Sequence, residues 1–187
     1  MSNARNLANL LGTNTTIQTA KLADDAITAA KLSSTAIASG DLPAGTVLNH
    51  YNTTYGTQIT VSADGWVDTG LSFNVTPVST SSKFIINYDL FLYFVAITNS
   101  WNAAYARVRR DSTTVRTDSY TLGRGALYNI SGTYAHVMMH TGDKQIDSPS
   151  TTSQITYKVQ IHRYHQNTFY VNQGDMTGYI DITEIAG

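Results

Sequence analysis

The residues best suited to chemistry in this chain are its five histidines, and their spacing argues against a shared metal. His162 and His165 are three positions apart, which puts them on opposite faces of a strand. His136 and His140 share a face, but four strand steps separate them by about 13 Å, too far for one ion to bridge. Only a symmetry axis gathering three copies of one histidine would change that. The 13 acidic residues are thinly spread and show no glycosidase-like rhythm. Such carboxylate pairs come from distant positions, so the sequence leaves that one class open. There is no Gly-rich phosphate loop and no Gly-x-Ser-x-Gly elbow. There is no cysteine, hence no thiol nucleophile, thiolate metal site or disulfide. The expectation is a chain that is not an enzyme and holds neither metal nor cofactor.

Binding chemistry is better represented. On a strand, Tyr105, Arg107 and Arg109 line one face, and Ala104, Ala106 and Val108 line the other. Aromatic and Arg side chains together suit a recognition surface. The arginines would serve equally well by pairing with acidic residues between subunits. Asn99-Ser100-Trp101-Asn102 reads as a loop in which Trp101 can stack on a sugar and Asn102 can hydrogen-bond to it. His165-Gln166-Asn167 is a second such loop, with His165 and Asn167 as candidate contacts. Each loop can instead be a packed anchor. The formal net charge is −1 and only 13% of residues are charged, which excludes a basic nucleic-acid or membrane-binding surface. Four Asn-x-Ser/Thr sequons, at Asn14, Asn52, Asn74 and Asn129, read as chance in a chain rich in Thr and Asn.

The elements that must position these residues are strands. Twelve Tyr and abundant Val, Ile and Thr favour sheet. Strands are predicted over Gln58 to Val61, Trp66 to Val75, Lys83 to Ile97, Ala103 to Arg110 and Thr113 to Tyr120. Others follow at Thr133 to Thr141, Gln154 to Tyr164, Thr168 to Val171 and Gly178 to Ile185. Turns are expected at Asp64-Gly65, Asp111-Ser112 and Gly142-Asp143. In Gln154 to Tyr164, alternation puts Tyr157, Val159 and Ile161 inward and Thr156, Lys158, Gln160 and His162 outward. In Lys83 to Ile97 the inward set runs from Phe84 to Phe94. The other face begins with Asn87 and Asp89 and continues with Phe91, Tyr93 and Val95. A strand apolar on both faces needs a second covering layer, and another subunit would supply one.

Composition changes near Gly45, before which there is no aromatic residue. Ser2 to Leu11 reads as a short helix with Leu7, Leu10 and Leu11 on one face. So short a helix needs a partner surface: a larger particle into which it docks, or the rest of the chain. Next, Ile17, Leu22, Ile27, Leu32, Ile37, Leu42 and Val47 recur every five positions. That is neither a heptad nor a strict alternation. One large apolar residue in five cannot build a core alone, so the segment reads as an extended shaft in which copies stack these residues in layers around a common axis. The expected organisation is an anchor over 1–14, a repeat shaft over 15–45 and an antiparallel β-sandwich, jelly-roll-like head over 46–187. The N-terminus lacks the apolar core of a signal peptide, so the product is expected to stay in a cytoplasm until lysis.

Ala4-Arg5-Asn6-Leu7-Ala8, the two Lys-Leu-x-x-x-Ala-Ile units and Ser39-Gly40-Asp41-Leu42-Pro43-Ala44-Gly45-Thr46-Val47-Leu48 resemble tail-fibre and related virion proteins of marine and cyanobacterial phages. The ending Ile182-Thr183-Glu184-Ile185-Ala186-Gly187 is similar to the C-terminal strand of that group. The resemblance covers the first 48 residues and the last six; the middle matches in style only. It implies a homotrimer located in the virion, docked by its N-terminus to other tail or baseplate proteins, with a distal head that binds a host-surface receptor or glycan. A fibre or decoration protein of the same architecture without a receptor role fits these residues too. A carbohydrate-degrading spike fits less well, because building a cleft usually takes a longer chain.

Overall fold

A computed structural model describes residues 38–96, 102–115, 125–127, 135–164 and 168–187. Within them a 3-10 turn at Ser39–Asp41 leads into eleven strands. These are β1 (Val47–Tyr55), β2 (Ile59–Val61), β3 (Trp66–Val75), β4 (Lys83–Ala96), β5 (Asn102–Arg110) and β6 (Thr113–Thr114). They continue with β7 (Gly125–Leu127), β8 (Ala135–Asp147), β9 (Ile155–Tyr164), β10 (Phe169–Val171) and β11 (Gly178–Ile185). The compact unit spans Ser39–Gly187. The anchor residues Leu7, Leu10 and Leu11 and the repeat positions Ile17, Leu22, Ile27, Leu32 and Ile37 lie outside the described residues. Leu42 sits in the bend after the 3-10 turn, and Val47 opens β1.

All strand pairs are antiparallel, and they form two sheets. The first sheet has the order β1-β11-β4-β10-β2, with β8 on the other side of β4. The second has the order β3-β9-β5-β6, with β7 also on β5. The core between them follows from period-two alternation. Phe84, Ile86, Leu90, Leu92 and Phe94 of β4, with Ile180 and Ile182 of β11, meet Val108 of β5 and Tyr157, Val159 and Ile161 of β9. This is the β-sandwich expected from the strand pattern, and the inward and outward sets of β4 and β9 are those read from the sequence. One seam between the sheets is polar. Asp147 of β8 accepts two hydrogen bonds from Arg110 of β5, at 2.7 and 2.6 Å, and one from the Tyr157 hydroxyl at 2.7 Å. Burial first, and then that bond to Asp147, push the Tyr157 hydroxyl up from its ordinary value.

Two glycines set local geometry. Gly70, at φ +78°, sits where β3 slips two residues against β9 between Asp68 and Ser72, and a side chain there would collide with the Tyr55 ring. Gly142 corrects a sequence expectation. Gly142-Asp143 is no turn: β8 runs straight through it, paired with β4 along its whole length. A Cβ at Gly142 would lie 2.5 Å from the Tyr88 carbonyl oxygen, so the close approach of the two backbones, rather than a reversal, demands glycine. β6 covers Thr113–Thr114, the start of the strand expected over Thr113 to Tyr120; residues 116–120 lie outside the described residues.

Registers define two poles. At one pole the chain enters the head: the Gly45 amide donates to the Ala186 carbonyl, and the Ala186 amide donates to the Thr46 carbonyl. Residues 76–82 and 148–154 connect strands at this pole. The opposite pole carries the starts of β3 and β5 and the ends of β4 and β9. Near the entry pole, Glu184 is fully buried. It accepts from Asn49 Nδ2 at 2.9 Å and from the Val78 amide at 2.6 Å, tying β1, β11 and the β3–β4 connection together.

Candidate ligand surface on the second sheet

The antiparallel ladder β3-β9-β5 arranges its outward side chains in rungs. Trp66, His162 and Tyr105 form the rung nearest the far pole, followed by Asp68, Gln160 and Arg107, and then Ser72, Lys158 and Arg109. The alternation read for β5 therefore holds: Tyr105, Arg107 and Arg109 share a face, with Ala104, Ala106 and Val108 buried behind them. Tyr105 is the most buried of the three, at 9% exposure.

The middle rung is tightly connected. Gln160 Oε1 accepts from Arg107 Nε at 2.9 Å and from Nη2 at 2.7 Å. Gln160 Nε2 donates to Asp68 at 2.6 Å, and Lys158 Nζ donates to the other Asp68 oxygen at 3.1 Å. Burial alone would raise the Asp68 carboxyl. The bonds from Gln160 and Lys158, with the charges of Lys158 and Arg109, outweigh burial and hold it below its ordinary value. Arg107 is lowered by burial and by the charge of Arg109, against the opposing charge of Asp68. It stays cationic at neutral pH. Three cations and one carboxylate on these rungs leave the face net positive.

Trp66 was not among the residues singled out from the sequence, and it anchors the surface. Its side chain is 39% exposed, unusual for so large an apolar group. Arg107 Cζ lies 3.9 Å from the indole centroid, a cation–π distance, and the His162 ring lies 5.3 Å away. The one available signal was the alternation of Trp66 with Asp68. The register that brings β3 against β5 across β9 is not local information.

The loop candidates Trp101, His165 and Asn167 lie outside the described residues; Asn102 opens β5, and only its backbone is described. The described strand ends that flank them, Ala96, Asn102, Tyr164 and Phe169, are at the far pole, the same end as Trp66. His136 and His140 do share a face, on the outer side of the first sheet. They are separately engaged, His136 hydrogen-bonded to the Tyr93 hydroxyl and His140 to Asp89 at 3.0 Å.

No family model matches the chain, and no curated protein matches it. Among solved structures, it resembles the VP2 subviral particle of infectious bursal disease virus, with a TM-score of 0.37 and 13% identity over 73% of this chain and 38% of that one. It also resembles the T13 particle of the same virus, with a TM-score of 0.40 and 10% identity over 73% of this chain and 37% of that one. The chain thus spans less than two fifths of the length of either protein. At these scores the likeness carries no argument, and the sandwich assignment rests on the chain's own strand pairing.

Proposed function

We propose that this chain is a structural subunit of a virion fibre, a homotrimer docked to the particle by its N-terminus, and that its β head binds a host-surface glycan on the outer face of the second sheet. The observation that carries the binding reading is the half-exposed Trp66 indole, next to Arg107 and the Asp68–Gln160 pair, at the pole opposite the chain's entry. With Arg107 stacked on one face of the indole, a pyranose ring would lay its apolar face on the exposed remainder of the ring and turn its polar rim to the neighbouring donors and acceptors. The surplus of cations favours a sugar bearing a carboxylate, phosphate or sulfate. A fibre of this kind needs its ligand surface away from its attachment, and Trp66 lies at the pole opposite the point where the chain enters the sandwich.

A second reading draws on the same network. Arg107, Gln160, Asp68 and Lys158 already satisfy one another, as they would in a stiffening ladder without a ligand. Glycan-array binding of the full-length protein separates the two readings. The expected result is salt-sensitive binding to acidic glycans that falls about 30-fold in Trp66→Ala, near the 2 kcal/mol of a buried aromatic anchor. A folded trimer that binds no glycan, or a Trp66→Ala protein that binds as well as the parent, leaves the purely structural fibre as the reading.

A further inference from the structure

The outer face of the first sheet carries apolar side chains toward both of its ends, with a polar band of Asn87, Asp89, Lys144 and Asp181 between them. Ile85, Phe91, Tyr93, Met138, Ile146 and Tyr179 all point away from the core. Met138 is 59% exposed, Ile146 64% and Tyr179 38%. Apolar side chains scattered singly over a surface are ordinary, but these fall into two groups. Ile85 is paired with Ile146, and Tyr93 with Met138 on one side and Tyr170 on the other. The Phe91 ring lies 3.9 Å from the His140 ring, and a shallow depression opens beside Phe91, Tyr93, Met138 and Met176.

Its size and charge indicate what covers it. β4 and β8 pair from Phe84 to Ala96, and the sheet is about four strands wide, which gives a face of about 800 Å² at ordinary strand spacings. That is about one partner's share of a standard protein interface. The ionisable groups on the face have both signs: Asp89 and Asp181 stand among His50, His136, His140 and Lys144. Nucleic acid or an anionic membrane would select a single sign. A face of mixed sign suits another protein surface of mixed sign, as a neighbouring copy of this chain presents. Its carboxylates are also held already, Asp89 by His140 at 3.0 Å and Asp181 by Asn52, which lowers the cost of drying them.

We infer that the outer face of the first sheet is the surface by which copies of this chain pack against one another around the fibre axis, leaving the Trp66 face turned outward. This deepens the trimeric reading above and rests on it. It assigns β8 to the interface and β3 to the exterior.

The chain has no cysteine of its own, so single thiols report on cover without background. Met138→Cys and Ile146→Cys place thiols on two different rungs of the first sheet, and Ser72→Cys places one on the second. Each is made in the full-length protein, its mass is measured by sedimentation equilibrium, and its reaction rate with a maleimide is followed. The expected result is a trimer in which the thiols at 138 and 146 react at least tenfold more slowly than the thiol at 72. A trimer whose three positions react alike overturns the assignment of this face but leaves the fibre reading standing. So does a trimer protected at 72 and open at 138 and 146. A monomer overturns both.

Discussion

The first sheet turns Phe91, Tyr93, Met138, Ile146 and Tyr179 toward its outer side, whereas the second turns out Trp66, Asp68, Arg107, Lys158 and Gln160. Behind these surfaces the sheets are alike: each alternates, and each offers the core a row of Val, Ile, Leu and Phe. Alternation decides which residues face out, but not what the outside is. On the second sheet Arg107, Gln160, Asp68 and Lys158 satisfy one another laterally, in hydrogen bonds that water can cover. On the first, Asp89 with His140 and Asn52 with Asp181 bond in the same way, but Met138 and Ile146 leave apolar area that water covers poorly, about 25 cal/mol for each Å². On the proposal above, one face is finished within the single chain and the other is covered by a neighbouring copy.

The largest effect that would break this contrast is expected from Met138→Glu combined with Ile146→Glu. If the first sheet is an interface, each buried carboxylate costs on the order of 3 kcal/mol, and association should weaken more than 100-fold. The matched pair on the second sheet, Ser72→Glu with Asn74→Glu, should leave the mass unchanged. Sedimentation equilibrium compares them, and equal behaviour of the two pairs would remove the distinction between the faces.

A smaller effect tests how the second face is held in phase. Gly70→Ala forces a Cβ into the Tyr55 ring at a backbone angle that favours glycine. It is expected to cost about 2 kcal/mol or more in denaturant unfolding. It should also disturb the rungs on either side of the slip, lowering glycan affinity while thiols on the first sheet keep their reactivity.

The smallest effect is a pH dependence confined to the second face. The Asp68 carboxyl lies below its ordinary 3.8 in the folded chain, so its contribution to stability is complete above pH 3.8 and lost as pH falls through the lower folded value. The thermal midpoint of the parent should exceed that of Asp68→Asn at neutral pH. The gap should persist down to pH 3.8 and close only below it. A gap that closes above pH 4 would mean that Gln160 and Lys158 do not stabilise the carboxylate.

What the sequence made legible follows the range of the forces involved. The faces of β4 and β9, and the shared face of Tyr105, Arg107 and Arg109, depend on neighbours two residues away, and alternation displays them directly. The apolar residues Phe91, Tyr93 and Val95 on the second face of β4 were legible in the same way, and the covering layer expected from them stands as part of the proposal. Trp66 escaped notice because its importance lies in Arg107 and His162, which other strands bring beside it. The Gly142-Asp143 pair was misread because a glycine needed for close backbone approach looks the same in sequence as one needed to reverse the chain. The β1 strand was read only as the start of a β region: its inward residues Asn49, Tyr51, Thr53 and Tyr55 are half polar, and its apolar contrast is weak.

The clasp at Gly45 and Ala186 has a mechanical consequence. A pull transmitted through the chain before Gly45, while the far pole is held, runs along β1. The hydrogen bonds between β1 and β11 lie across that direction, so the load is borne in shear by the whole ladder from Val47 to Tyr55 at once, rather than opening it one bond at a time. Glu184, pinned between Asn49 and Val78, rivets the strand at the loaded end. A sandwich built this way resists tugging along β1 better than peeling from its side.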